Sequence, residues 1–164
     1  MVLSDLPQVK ECNRSNLPEA YNFLFMEYIF LVSPGASFVA ENHQGEVVGY
    51  ALGKLKDELE KDELIDTSLP VGYVASIGVD RGYRGKGIGQ LLFAAVLHGL
   101  GTLISSKQEA AKEMRVYLNV RESNGSAIGL YQKFGFFTES KQEAYYPNNE
   151  TALLMSRVFC LVAQ

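Results

Sequence analysis

YVASIGVDRGYRGKGIGQLL, residues 73–92, is the stretch from which the fold can be read. Its first part is strand-like, because Val74, Ile77 and Val79 are β-branched and stand among small residues. Its last part is helical: from Gln90 onward Leu91, Leu92, Phe93, Ala94 and Ala95 open an apolar face of 3.6-residue period. A glycine-rich turn joins the two. Gly85, Gly87 and Gly89 remove three Cβ atoms where the backbone enters the helix. The first-turn amides have no intrahelical partner and the positive end of the helix dipole stands behind them, so such a turn can seat a diphosphate. The competing account is a turn that only lets a helix pack closely on a strand.

Spacing decides which diphosphate. A dinucleotide turn wants Gly-x-Gly-x-x-Gly, but counting from Gly85 the sixth place holds Gln90. A nucleotide P-loop wants Gly-Lys followed by Ser or Thr, and Gly87 follows Lys86 here. What remains, Arg84-x-x-Gly87-x-Gly89, resembles the Arg/Gln-x-x-Gly-x-Gly/Ala signature of the GNAT acetyltransferase superfamily, which implies a seat for the pyrophosphate of acetyl-coenzyme A.

The bounds agree with an ordinary globular protein. A chain of 164 residues, 47% hydrophobic and 21% charged, is expected to form one domain with a single substantial core. A formal charge of −4 offers no general attraction for nucleic acid, although Arg81, Arg84 and Lys86 form a local basic patch suited to a phosphorylated cofactor. Cys12 and Cys160 show no metal-ligand spacing and read as free, partly buried thiols of a reducing compartment. The first ten residues carry no basic leader, and no run approaches the roughly 18 apolar residues of a membrane span. The expectation is a cytoplasmic protein with no membrane partner.

Around the central stretch the elements follow in order. Leu6, Val9 and Cys12 mark a short helix over residues 4–13, with Ser4 or Asp5 as N-cap and Pro7 in the first turn. A polar break at 13–19 precedes a second helix starting at Pro18, whose apolar face is read as Ala20, Phe23, Leu24, Tyr28 and Leu31. Residues 37–41 and 47–52 form a hairpin around the turn 42–45, in which His43 is a turn residue. The charged stretch 57–66 reads as a solvated connection. The helix after the glycine turn runs to about residue 103 or beyond and contains His98, a packed or surface residue. Residues 114–121 alternate as a strand. Ser123-Asn124 caps a helix that buries Ala127, Ile128, Leu130, Tyr131 and Phe134 and stops at Gly135; a strand opens at 136–137, and 151–159 supplies the last one. The order predicts a mixed α/β sandwich.

Cys12-Asn13, the run from Asn16 to Tyr21 (NLPEAY), Val39-Ala40-Glu41, Val48-Gly49-Tyr50, the glycine turn, Val120-Arg121-x-Ser123-Asn124, Leu130-Tyr131 and Tyr145-Tyr146 together resemble the N-terminal protein acetyltransferases. The resemblance is greatest to the branch of N-terminal acetyltransferase A catalytic subunits and their archaeal counterparts, with the ribosomal-protein alanine acetyltransferases more distant. It implies a GNAT fold: a mixed, mostly antiparallel sheet flanked by helices, with central strands that splay. The family's first strand is poorly represented, which implies a sheet edge truncated or differently built. It further implies cofactor contacts from Ile77, Gly78 and Val79, from Arg84, Gly85, Lys86, Gly87, Ile88, Gly89 and Gln90, and from Asn124 and Tyr131. Leu17, Pro18, Tyr21, Asn119, Tyr145 and Tyr146 are implied on the peptide side. Protein N-termini would be the substrate, a helical auxiliary subunit is a partner the eukaryotic relatives suggest, and nucleic acid is not contacted directly.

The chemistry would be attack of an α-amine on the acetyl thioester. A free α-amine has a pKa of about 7.7–8.0, so part of it is already neutral near neutral pH and positioning should contribute more than basicity. The Val79 amide is the expected oxyanion donor, and Tyr131, a phenol protonated at neutral pH, the expected donor to the departing thiolate. Glu19 matches the family's Leu-Pro-Glu glutamate and would orient the amine or accept its proton through water; a carboxylate favoured by a helix N-terminus explains it equally well. Tyr73 and Asn119 stand where relatives often carry histidine, or glutamate at the latter place, so base chemistry would rest on Glu19, on water held by Tyr73, or on backbone carbonyls. Two alternatives stay open: acetylation of another amine (a ribosomal-protein alanine, a polyamine, a lysine), or an acetyl-coenzyme A-binding subunit without catalysis.

Overall fold

The computed structural model describes residues 1–17, 21–56 and 64–161. Pro18 and Glu19, and most of the charged stretch 57–66, therefore lie outside the described residues. Among the described residues four α-helices, α1 (Leu6–Asn16), α2 (Phe23–Val32), α3 (Ile88–Lys107) and α4 (Gly125–Lys133), flank six strands, β1 (Ser37–Glu41), β2 (Val47–Leu55), β3 (Val71–Val79), β4 (Glu113–Arg121), β5 (Phe137–Gln142) and β6 (Ala152–Cys160). One sheet holds them in the order β1-β2-β3-β4-β6-β5, and every pairing is antiparallel except β3 with β4. Among the described residues no strand precedes α1, and β1 forms the edge on that side.

Alternation along β2 explains the layering, since successive side chains of a strand point to opposite faces. Tyr50 and Leu52 pack with Leu6, Val9, Cys12, Met26 and Ile29 beneath α1 and α2. On the other face Ala51 joins the larger core built on α3, with Phe93, Val96, Leu97 and Leu100. The neighbours of Ala51 on that face are Gly49 and Gly53; a Cβ there would stand 3.0 Å from Leu92 and 2.6 Å from Val96, so small residues let α3 lie close on the sheet. By composition α3 is long and apolar enough to span a membrane, contrary to the expectation that no run comes near that length. Its buried residues are spent on the sheet core instead.

Two helix ends differ from expectation. α1 continues to Asn16 rather than stopping at 13, and Leu17 N–H closes on Asn13 O at 2.9 Å. α2 begins at Phe23, not Pro18, because Asn22 caps it by accepting from Phe25 N–H at 2.7 Å. Its face is also rotated. Met26 and Ile29 are buried, whereas Leu24 is 73% and Leu31 61% exposed and Tyr28 is exposed as well.

Candidate active site

A cleft opens where two central strands part. β3 and β4 are paired only over Val71–Tyr73 against Arg115–Tyr117. The β2–β3 register then shifts, with Leu52 opposite Ser76 and Gly53 opposite Val74, so Ala75 is the extra residue of a bulge. A bulge bends its strand and interrupts pairing, and β3 leaves β4 at this point. Past the bulge Asp80 N–H reaches Val48 O at 2.9 Å. In an antiparallel pair the residues alternate between facing the partner strand and facing away, so Ile77 and Val79 turn N–H and C=O away from β2, toward the opening. The resulting cleft is about 900 Å³ in volume and is lined by residues 74–79, the glycine turn, the end of β4 and α4.

The glycine turn forms one end of the cleft. Gly85 and Gly87 have φ of +75° and +84°, which L-residues rarely adopt, and Gly87 is the N-cap of α3. A Cβ added at either would meet no protein atom within 4 Å. Close helix–strand packing therefore does not account for these two glycines. They bare main-chain N–H groups toward open space at the positive end of a 20-residue helix, a cradle that fits a diphosphate. The Arg84 side chain points elsewhere: its Nε donates to Val79 O (2.8 Å) and its Nη2 to Asn16 Oδ1 (2.6 Å). Lys86 Nζ lies over the Tyr83 ring, 5.1 Å from its centroid.

The opposite wall comes from α4, the end of β4 and Tyr146 of the connection between β5 and β6. Asn124 Oδ1 accepts from Ala127 N–H at 3.2 Å and starts α4, which delivers Tyr131 to the cleft. Tyr131 is 5% exposed, with its ring 5.0 Å from that of Phe93. Burial pushes its phenol well above the usual tyrosine range, so it stays protonated. Among the described residues no protein group hydrogen-bonds its hydroxyl. Core packing and an available donor thus coexist in one side chain. At the peptide end Asn119 Nδ2 donates to Tyr145 Oη (3.1 Å), the rings of Tyr145 and Tyr146 meet edge to face, and the Arg121 guanidinium covers the Tyr146 ring at 4.0 Å. Arg121 and Ser123 both bond the Glu150 carboxylate, which these donors hold down to about 2.

Of the residues singled out in the sequence, Leu17, Tyr21, Ile77, Gly78, Val79, Arg84, Gly85, Gly87, Ile88, Gly89, Gln90, Asn119, Asn124, Tyr131 and Tyr146 line this one cleft. Lys86 and Tyr145 flank it. Tyr73 is packed in a satellite cluster with Ile65, Val71, Tyr117 and Leu154, below the point where the strands part. Sequence reasoning missed Asn16, Ser76 and Lys133, which also line the cleft, and Glu150, which fixes its rim. Lys133 could have been found from the end of the α4 face; Asn16 stands in the NLPEAY run that carries the resemblance but was given no site role, and Ser76 carries no local signal. Cys12 is buried and Cys160 exposed, both free.

The acetyltransferase (GNAT) family has a sequence model that matches residues 6–136, from the start of α1 to the residue before β5. An N-alpha-acetyltransferase of Sulfurisphaera tokodaii is 35% identical over 154 residues, covering 94% of this chain and 87% of that protein. The N-terminal acetyltransferase A complex catalytic subunit ard1 of Schizosaccharomyces pombe is 32% identical, with 96% and 82% covered. Among solved structures, Arabidopsis thaliana Naa50 in complex with the bisubstrate analogue CoA-Ac-MVNAL superposes with a TM-score of 0.71 at 27% identity, covering 97% of this chain and 95% of that one. With the parted strands, the open glycine cradle and the buried tyrosine all inside the matched span, the chain belongs to the GNAT acetyltransferase family.

Proposed function

We propose that this protein transfers the acetyl group of acetyl-coenzyme A to the N-terminal α-amine of proteins or peptides. The observation that carries the proposal is the cleft itself: a diphosphate cradle at one end, a proton donor in the middle, and a tyrosine-lined mouth at the other. Its relatives named as N-alpha-acetyltransferases support the same reading. Acetyl-coenzyme A supplies the activated acyl thioester. Main-chain N–H groups at Gly87 and the first turn of α3 hold the diphosphate. The open edge of β3 lines up the extended arm, and the Val79 N–H, facing the opening, stabilises negative charge on the acyl oxygen. Tyr131 keeps a proton on its hydroxyl for the departing sulfur. Leu17, Tyr21, Asn119 and Tyr146 hold the incoming peptide, with Tyr145 fixing Asn119. The amine needs little help in losing its proton, and Glu19, through water, is the carboxylate assigned to it.

Two further readings accompany this one. The exposed stripe of Leu24, Tyr28, Leu31 and Val32 on α2 is suited to a helical auxiliary subunit, in keeping with a relative named as the catalytic subunit of a complex. A reducing, cytoplasmic setting suits two free thiols. Incubation with acetyl-coenzyme A and short peptides beginning Ser, Ala, Met or Glu tests the function. Acetylation of free N-termini but not of blocked peptides containing lysine is expected. Turnover confined to small amines, or cofactor binding without turnover on any amine, would overturn it.

A further inference from the structure

Behind the cofactor turn lies a polar cluster that acyl transfer itself does not use. Asn16, the last residue of α1, donates to Asp80 Oδ1 and to Cys12 O, both at 2.7 Å, and accepts from Arg84 Nη2 at 2.6 Å. Arg84 in turn donates through Nε to Val79 O at 2.8 Å, beside the proposed oxyanion site. Cys12 Sγ donates to the same Asp80 oxygen at 3.3 Å; burial and that carboxylate push the thiol up to about 12, so it remains a donor at neutral pH. The guanidinium of the signature arginine is thus a strut to α1.

The same helical turn grips the acceptor side. Leu17 N–H donates to Asn13 O and Tyr21 N–H to Asn13 Oδ1, both at 2.9 Å, and Leu17 and Tyr21 line the cleft. Asn13 is itself fully buried and fixed by its donation to Tyr50 Oη at 2.7 Å, which shares a 2.8 Å bond with Ser76 Oγ on β3. Residues 13 and 16, one turn apart, therefore tie Leu17 and Tyr21 on one side and the cofactor turn on the other.

We propose that Asn16 is a positioning residue that couples the two substrate sites, so that filling the glycine turn tightens peptide binding. The proposal rests on the function proposed above. A diphosphate on the turn fixes the backbone that carries Arg84; the Arg84–Asn16 bond carries that constraint to the end of α1, where Asn13 holds Leu17 and Tyr21. Linkage makes the effect reciprocal: bound peptide tightens the coenzyme by the same factor.

Calorimetry of a peptide that the wild-type protein acetylates, titrated with and without saturating coenzyme A, reads the coupling as a ratio of two dissociation constants. The expected wild-type ratio is about tenfold. Asn16→Ala should bring it close to one and raise KM for the peptide measured at saturating acetyl-coenzyme A. Arg84→Lys keeps the charge but not the two-point bridge and should lose the ratio in the same way, which serves where Asn16→Ala lowers Tm. A wild-type ratio of one, or both variants retaining the wild-type ratio, overturns the proposal. So does a loss of peptide affinity that is equal with and without coenzyme A, since that marks Asn16 as a support for the peptide side alone. Wild-type protein that acetylates no free N-terminus would instead refute the underlying function, and the proposal with it.

Discussion

Tyr131 joins a buried ring to a hydroxyl with no protein partner among the described residues, and the two parts separate experimentally. Tyr131→Phe keeps the packing against Phe93 and Phe136 and removes only the proton donor. The expected result is a kcat lower by about 10²-fold with coenzyme A affinity unchanged, measured by steady-state assay and calorimetry. An unchanged kcat would assign the leaving-group proton to another group. Tyr131 was legible in the sequence because two local signals converge on it, the Ser123-Asn124 cap and the apolar face that follows. Arg84 was legible only as backbone. Its side chain reads as a phosphate ligand, yet it bonds a residue 68 positions earlier, and no local pattern reports such a partner. Tyr73 was singled out by matching a family position, and its environment depends on where β3 leaves β4, which a bulge at Ala75 decides.

Helix α2 shows why periodicity fails on a segment without a polar side. FLFMEYIFLV has one charged residue in ten, so several faces are equally apolar and burial is decided by what lies beneath. The sheet beneath presents Tyr50 and Leu52, against which Met26 and Ile29 pack. Thermal denaturation should separate the faces. Ile29→Ala is expected to cost about 2–5 kcal/mol, while Leu24→Lys with Leu31→Glu should stay within about 0.5 kcal/mol of wild type and leave peptide turnover by the isolated chain intact. Equal destabilisation by both sets would place the Leu24 face in the core. By contrast, the glycine turn and the start of α3 were legible nearly to the residue, because an abrupt change from period 2 to period 3.6 across three glycines has few other structural solutions; the end of that helix, at Lys107 rather than near 103, was not.

Across the molecule, one rim of the cleft is fastened by charge. Glu150 accepts from Ser123 and Arg121, and these donors lower its carboxyl from 4.5 to about 2. A depressed carboxylate pKa contributes stability that is fully present above the unfolded value and is lost as pH falls through the folded one. Wild-type Tm should therefore fall between about pH 5 and pH 2 more steeply than that of Glu150→Gln, whose side chain does not titrate. Parallel Tm profiles for the two proteins would show that the rim contributes nothing to acid stability. The topology of the sheet was foreseen in its main lines, with helices first, a hairpin, the central strand and a closing hairpin. The length of the β3–β4 contact was not, since a strand's sequence records which faces are buried but not how far it stays beside its neighbour.

That short contact has a consequence for how the sheet is completed. For a few residues beyond Tyr73 the polypeptide supplies no neighbour for one edge of an interior strand, an arrangement that ordinarily invites a stray chain to pair. Here the vacancy is internal, bounded by the glycine turn on one side and Tyr131 on the other. An acyl donor whose arm carries amides can pair with that edge as a surrogate strand, so the gap in the sheet is itself a binding feature.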